Sequence, residues 1–217
     1  MSSPLERAVE IMDRLRSPGG CPWDAAQTHE SLTRYLLEEA YEVIEAIETN
    51  DLALLREELG DLLLQVLFHA RMTEELPPGA AFGIQDVAAD LVEKLIRRHP
   101  HVFAGAEAGS AEELNETWER QKVDEKSRTS AVDGVPINQP ALALAAKLVS
   151  RARRAGLPVP QQPGEDLGSR LLALVAEAVE ADVDPESALR RAAREYRAAL
   201  LEQESRPGDD IYHETGT

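Results

Sequence analysis

The sequence predicts an all-α fold. Apolar residues recur at the three- and four-residue spacing of amphipathic helices, alternating strand-like runs are almost absent, and caps or Pro/Gly clusters punctuate the periodic segments. About eight helices are expected.

The first covers about Leu5 to Arg16 and stops at Ser17-Pro18-Gly19-Gly20, a breaker cluster leading into Cys21-Pro22-Trp23-Asp24. A second runs from about His29 to Glu48. Asn50 or Asp51 can cap a third, which continues to about Glu75, where Pro77-Pro78-Gly79 ends it. Asp86 to Arg98 forms a fourth. Ser110 followed by Glu113 is a capping-box pattern opening a fifth, which carries Trp118. Residues 129–140 contain prolines, a glycine and small polar residues and read as a linker, so 1–128 form a first domain. A smaller helical unit spans 141–205, with helices at about Ala141 to Ala155, Asp166 to Ala181 and Pro185 to Glu204. Asp184 is a cap for the last of these, with Pro185 at its first position. Residues 206–217 form a polar tail.

Composition narrows the function. The chain has 217 residues, 23 basic and 40 acidic, for a net charge of −17. Such a charge repels polyphosphate backbones, which argues against nucleic acid as a partner. The acidity is concentrated: residues 1–128 hold 13 basic and 26 acidic side chains, the remainder 10 and 14. No apolar run is long enough for a membrane span and the first residues have no apolar signal core, so a soluble, cytoplasmic protein is expected. The single cysteine, Cys21, excludes an internal disulfide and a cysteine-rich zinc site.

Two acidic segments stand out: Glu38-Glu39-Ala40-Tyr41-Glu42 and Glu57-Glu58-Leu59-Gly60-Asp61. Between Tyr35 and Leu55 there are six carboxylates and no Lys or Arg, although Glu38 and Glu42 lie one turn apart and repel. Glu39 and Glu42 flank the apolar stripe of the second helix. On the third helix, Glu58, Asp61, Gln65 and His69 form a polar stripe among leucines, and that helix is expected to be buried on most sides. An acidic pair at i and i+3 is ordinarily a solvated face. Here the second pair lies in an almost wholly apolar helix, where unpaired carboxylates cost several kcal/mol apiece unless protons or cations neutralise them. The short connection around Thr49 to Asp51 favours antiparallel packing, which could bring Glu39, Glu42, Glu58 and Asp61 together. Oxygen-only ligands suit Mg²⁺ or Mn²⁺. His29 and His69 read as hydrogen-bonded packing residues, outside this set.

Glu-Glu-x-x-Glu at 38–42 followed by Glu-x-x-Asp at 58–61 resembles the signature of the MazG family of all-α nucleoside triphosphate pyrophosphohydrolases. Cys21-Pro22-Trp23-Asp24 with Gln27-Thr28, the stretch Arg97 to Phe103, and Trp118-Glu119-x-x-Lys122 match in order and spacing, so the resemblance covers residues 5 to about 126. It implies hydrolysis of a nucleoside triphosphate to the monophosphate and pyrophosphate, with Glu39, Glu42, Glu58 and Asp61 binding Mg²⁺. Glu38, and less strongly Glu57, would orient or deprotonate the attacking water. It also implies a bundle completed in a homodimer, and a role in sanitising nucleotide pools fits the family.

Basic residues must complete a phosphate site. Lys94, Arg97 and Arg98 share a helical face and can contact phosphate oxygens, or simply complement a helix C-terminus. Trp118 and Lys122 either reach the nucleotide, as the resemblance implies, or are a core Trp and a solvent-facing Lys. Trp23 either stacks on a base or plugs its loop. In the second unit, Glu165-Asp166-Leu167-Gly168-Ser169 aligns with 57–61 but sets Asp166 opposite Glu58 and Ser169 opposite Asp61, with no Glu-Glu-x-x-Glu upstream. Chemistry is therefore expected in the first unit. That loss leaves a second reading open, a non-catalytic nucleotide-binding scaffold. A di-iron carboxylate bundle would need Glu-x-x-His pairs that neither acidic segment supplies.

Overall fold

In the computed structural model the described residues are 2–105, 109–110, 113–114, 117–118, 129–160 and 164–205. Among them the regular elements are all helices: α1 (Pro4–Arg16), α2 (Pro22–Ala26), α3 (His29–Thr49), α4 (Leu52–Thr73), α5 (Ile84–Arg98), α6 (Pro100–Phe103), α7 (Ala141–Arg154), α8 (Leu167–Glu180) and α9 (Pro185–Glu204). None is long and apolar enough to cross a membrane. The chain divides into compact units of 1–114 and 115–217.

The first unit is organised by an antiparallel hairpin of α3 and α4. Asn50 closes α3 in the left-handed conformation (φ 56°), which Asn tolerates, and Asp51 caps α4, its Oδ1 accepting from the amides of Ala53 and Leu54 at 3.0 Å. Two residues with separate duties thus make the turn. Register follows from it: His29 meets His69, and ten residues further along α3 Glu39 meets Glu58 and Asp61. Met12 of α1, Leu32 of α3, and Leu67, Phe68 and Met72 of α4 form the core, with Ala8, Val9, Leu15, Tyr35 and Ile84 against it. That core fixes the open end of the hairpin, and the carboxylates lie nearer its turn.

Two short helices stand in stretches to which the sequence reading assigned no helix. Pro22 opens α2 and Pro100 opens α6, because proline at the first helical position loses no hydrogen bond. Gly20 permits the tight exit from α1, since a Cβ there would collide with the backbone oxygens of Arg14 and Leu15. Arg16, only 8% exposed, then clamps α2. Its Nη1 donates to the carbonyls of Asp24 and Gln27, while its Nε and Nη2 donate to the Glu75 carboxylate at 2.8 and 3.0 Å.

The apolar surface of α4 departs from expectation. Leu59 is 49% exposed, and Leu63, Leu64 and Val66 are also exposed, so within this chain the helix is not buried on most sides. Leu91, Val92, Leu95 and Ile96 of α5 are exposed too. Helical periodicity identifies apolar stripes without saying which of them this chain itself covers.

In the second unit Val149, Ala173 and Val175 are buried. Arg151 is buried as well, its Nη1 donating to the carbonyls of Ala131 and Asp133. Asp184 caps α9 as the sequence predicts, accepting from the amides of Glu186 and Ser187, with Pro185 in the first turn. In the first unit the Ser110–Glu113 capping box also forms, with Ser110 N donating to Glu113 Oε2 and Glu113 N to Ser110 Oγ.

Candidate metal centre

The hairpin register turns two separated sequence segments into one cluster. Glu39 of α3 and Glu58 and Asp61 of α4 each present a carboxylate oxygen within 4.8 Å of the others. Glu58 is only 8% exposed, an unusual setting for a carboxylate. Glu42, one turn beyond Glu39, lies close enough to both Glu39 and Glu58 to disfavour their charged forms.

Electrostatics follow from this crowding. Burial, the neighbouring Glu42 carboxyl and the charges of Asp61 and Glu58 push the Glu39 carboxyl up from 4.5 to about 7. Glu58 is raised in the same direction, first by burial and then by Glu42, Asp61 and Glu57. A cation bound among these carboxylates would relieve the same repulsion that raises them. Ligand oxygens about one Mg²⁺ ion are at most about 4.2 Å apart, twice the metal–oxygen distance, so a spread of 4.8 Å is closed by small side-chain rotations. Oxygen-only donors, one buried and two half-buried, crowded and mutually repelling, fit a hard divalent cation.

Of the four acidic ligand candidates, Glu39, Glu58 and Asp61 thus converge, and Glu42 lies beside them without joining the converging set. Glu38 and Glu57 are exposed beside this group, one on each helix. Lys94 and Arg97 are exposed and Arg98 half-buried in the last two turns of α5. Trp23 is 51% exposed and packs edge-on against Tyr35 and Phe68, with ring centroids 6.0 and 6.5 Å away. Trp118 belongs to the second compact unit and is half-buried. Lys122 lies outside the described residues.

Sequence reasoning assigned Gln65 of α4 no role and His69 only a packing one. Gln65 and His69 continue the polar stripe of Glu58 and Asp61. Gln65 Oε1 and His69 Nε2 are buried without a hydrogen-bond partner in the structure. The His69 ring stacks on His29, with Nδ1 to Nδ1 at 2.7 Å, so one ring donates and the other accepts. Burial, and secondarily His29, lowers the pKa of His69. The sequence signal was the stripe itself, polar positions at i, i+3, i+7 and i+11 in an apolar helix.

In the second unit Asp166 caps α8. It accepts from the Ser169 amide at 2.9 Å and from Ser169 Oγ, and these bonds lower its pKa. The two residues aligned with Glu58 and Asp61 are thus bonded to each other at a helix terminus.

Residues 27–103 match the MazG nucleotide pyrophosphohydrolase domain. The chain is 53% identical over 194 residues to an uncharacterized 26.1 kDa protein from the blaB 3' region of Streptomyces cacaoi, covering 88% of this chain and 79% of that protein. It is 45% identical over 218 residues to the nucleoside triphosphate pyrophosphohydrolase of Mycolicibacterium smegmatis, covering 97% of this chain but only 64% of that longer protein. It is 40% identical over 216 residues to the nucleoside triphosphate pyrophosphohydrolase/pyrophosphatase MazG of Thermotoga maritima, covering 88% of this chain and 82% of that one. With 40% identity across 82% of that MazG protein, and with Glu39, Glu58 and Asp61 meeting across a helical hairpin, the chain belongs to the MazG family of nucleoside triphosphate pyrophosphohydrolases.

Proposed function

We propose that this chain is an Mg²⁺-dependent hydrolase that converts nucleoside triphosphates to the monophosphate and pyrophosphate, with Mn²⁺ as a substitute metal. The observation that carries the reading is the convergence of Glu39, Glu58 and Asp61 within 4.8 Å. These three, with Glu42 beside them, would hold the cation. Bound there, Mg²⁺ would offset phosphate charge and make a bound water more acidic.

The chain's own residues divide the remaining work. Glu42 sits beside Glu39 and Glu58 and adds its negative charge to the site that would hold the cation. Glu38, exposed beside Glu39, orients or deprotonates the attacking water, and Glu57 is the second candidate. Lys94, Arg97 and Arg98 supply cations for phosphate oxygens, a need created by the chain's own acidity. Trp23 offers half its surface to a nucleobase, and Trp118 and Lys122 belong to the same nucleotide-binding set. The exposed leucines of α4 and α5 support a homodimer that covers them. A cytoplasmic role in clearing non-standard nucleotides is consistent with this chemistry, and the net charge of −17 argues against nucleic acid as the substrate.

The test is turnover of a panel of ordinary and modified nucleoside triphosphates with and without Mg²⁺, scoring pyrophosphate and monophosphate separately. Metal-dependent release of both supports the proposal. Orthophosphate with diphosphate would reject the bond choice. Nucleotide binding with no turnover would favour the scaffold reading that the altered second unit keeps open.

A further inference from the structure

Arg16 was read from sequence only as a residue near the end of a helix, yet it makes the densest set of bonds around α2. One edge of its guanidinium grips Glu75 just beyond α4, and Nη1 holds the carbonyls of Asp24 and Gln27 at the C-terminal end of α2. Its Cζ also lies 5.8 Å from the Phe68 ring centroid, the ring that Trp23 packs against. The other side of α2 is tied as well: Gln27 Nε2 donates to the Trp23 carbonyl at 2.9 Å, and Ser31 Oγ donates to Gln27 Oε1 at 2.7 Å. A five-residue helix has little stability of its own. Trp23 therefore keeps its half-exposed position because these bonds hold its backbone.

That position is close to the carboxylates along the same helix faces. Tyr35 is one turn before Glu39 on α3, about 6 Å along the axis, and Phe68 is two turns after Asp61 on α4, about 10 Å along the axis. The span is comparable to the sugar that separates a nucleotide's phosphates from its base. We infer that Arg16 is a positioning residue for nucleobase recognition, holding α2 so that Trp23 presents its ring to the base while the carboxylate cluster takes the phosphates. The inference rests on the proposed function above and on Trp23 as the platform. Lysine cannot replace the arginine, since no ammonium forms a bidentate grip on Glu75 and reaches two carbonyls in one plane.

The test compares a nucleoside triphosphate with ribose 5-triphosphate, which carries the same phosphates but no base, in the full chain with Mg²⁺, well below each variant's melting temperature. Stacking of a base on an aromatic ring is worth roughly five- to a hundredfold in affinity. Arg16→Met should therefore lower the ratio of kcat/KM for the two substrates about tenfold, mainly through KM for the nucleotide. Arg16→Lys should lower it in the same direction, and Trp23→Ala at least as far. The double variant Arg16→Met with Trp23→Ala should match Trp23→Ala alone, because the arginine acts through the indole. An unchanged ratio in Arg16→Met, or losses that multiply in the double variant, overturns the inference. If Arg16→Met does not fold, Arg16→Lys and Glu75→Gln decide by the same ratio. Absence of turnover of both substrates in the unmutated protein falls on the proposed function itself and removes the inference with it. Normal turnover with an unaffected ratio in the variants falls on the inference alone.

Discussion

Replacing Glu39 by glutamine should stabilise the metal-free protein at pH 8, the opposite of what most substitutions at a functional cluster do. Glu39 has its carboxyl pushed from 4.5 to about 7, so the folded state takes up a proton that the unfolded chain has already released. Below about pH 4.5 both states are protonated and nothing is lost. As pH rises from 4.5 to 7 the unfolded state binds fewer protons, so stability falls with pH, and above 7 the loss is constant. At 1.36 kcal/mol per pH unit the ceiling is about 3 kcal/mol, and solvent screening of this partly exposed side chain reduces it to about 1–2 kcal/mol. Glutamine has nearly the same shape, keeps a donor for Glu42 and carries no charge. With chelator present at pH 8, Glu39→Gln should therefore melt roughly 2–8 °C higher than the unmutated chain. At pH 5 the difference should shrink to about a quarter. Adding Mg²⁺ should reverse the order, because the unmutated cluster gains a ligand that the amide binds poorly. Thermal unfolding by circular dichroism at the two pH values measures all three. An Glu39→Gln chain no more stable than the original at pH 8 without metal would refute the account of a strained, cation-seeking cluster.

Three further outcomes follow from named contacts. Glu42→Gln and Asp61→Asn should each lower Mg²⁺-dependent turnover by about a hundredfold or more while leaving helicity intact, since they remove ligand charge without removing packing; steady-state kinetics beside far-ultraviolet circular dichroism checks this. His69 is held neutral by burial and by His29, so the unfolded state binds more protons below its ordinary value of 6.5 and stability should rise with pH through that window, the reverse of Glu39; His69→Gln should flatten the dependence in denaturant titrations. Asp51→Ala should cost about 1 kcal/mol by removing the cap of α4, visible as a lower denaturant midpoint, and the looser hairpin register should weaken Mg²⁺ binding in calorimetric titration.

Helix positions were legible because they depend on local rules. Asp184 with Pro185, the Ser110–Glu113 box and the apolar periodicity of α3, α4 and α9 all act within a turn or two of chain. The short helices α2 and α6 were missed for an equally local reason: each is little more than a turn long and opens on a proline, which fits the first position of a helix as well as a stretch outside one. At the hairpin turn, sequence left Asn50 and Asp51 as alternative caps, and only the backbone shows that the first ends one helix while the second begins the next.

The sequence by itself determined the all-α class, the two acidic segments and their oxygen-only chemistry, because periodicity, capping and charge are properties of neighbouring residues. Tertiary structure alone decided that Glu39, Glu58 and Asp61 meet while Glu42 stays beside them, that His29 stacks on His69, and that Arg16 reaches across to α2 and Glu75. It also decided that leucines of α4 expected in the interior face outward in this chain. Each of these depends on the register and rotation of one helix against another, a relation set by packing over the whole unit and carried by no single stretch of residues.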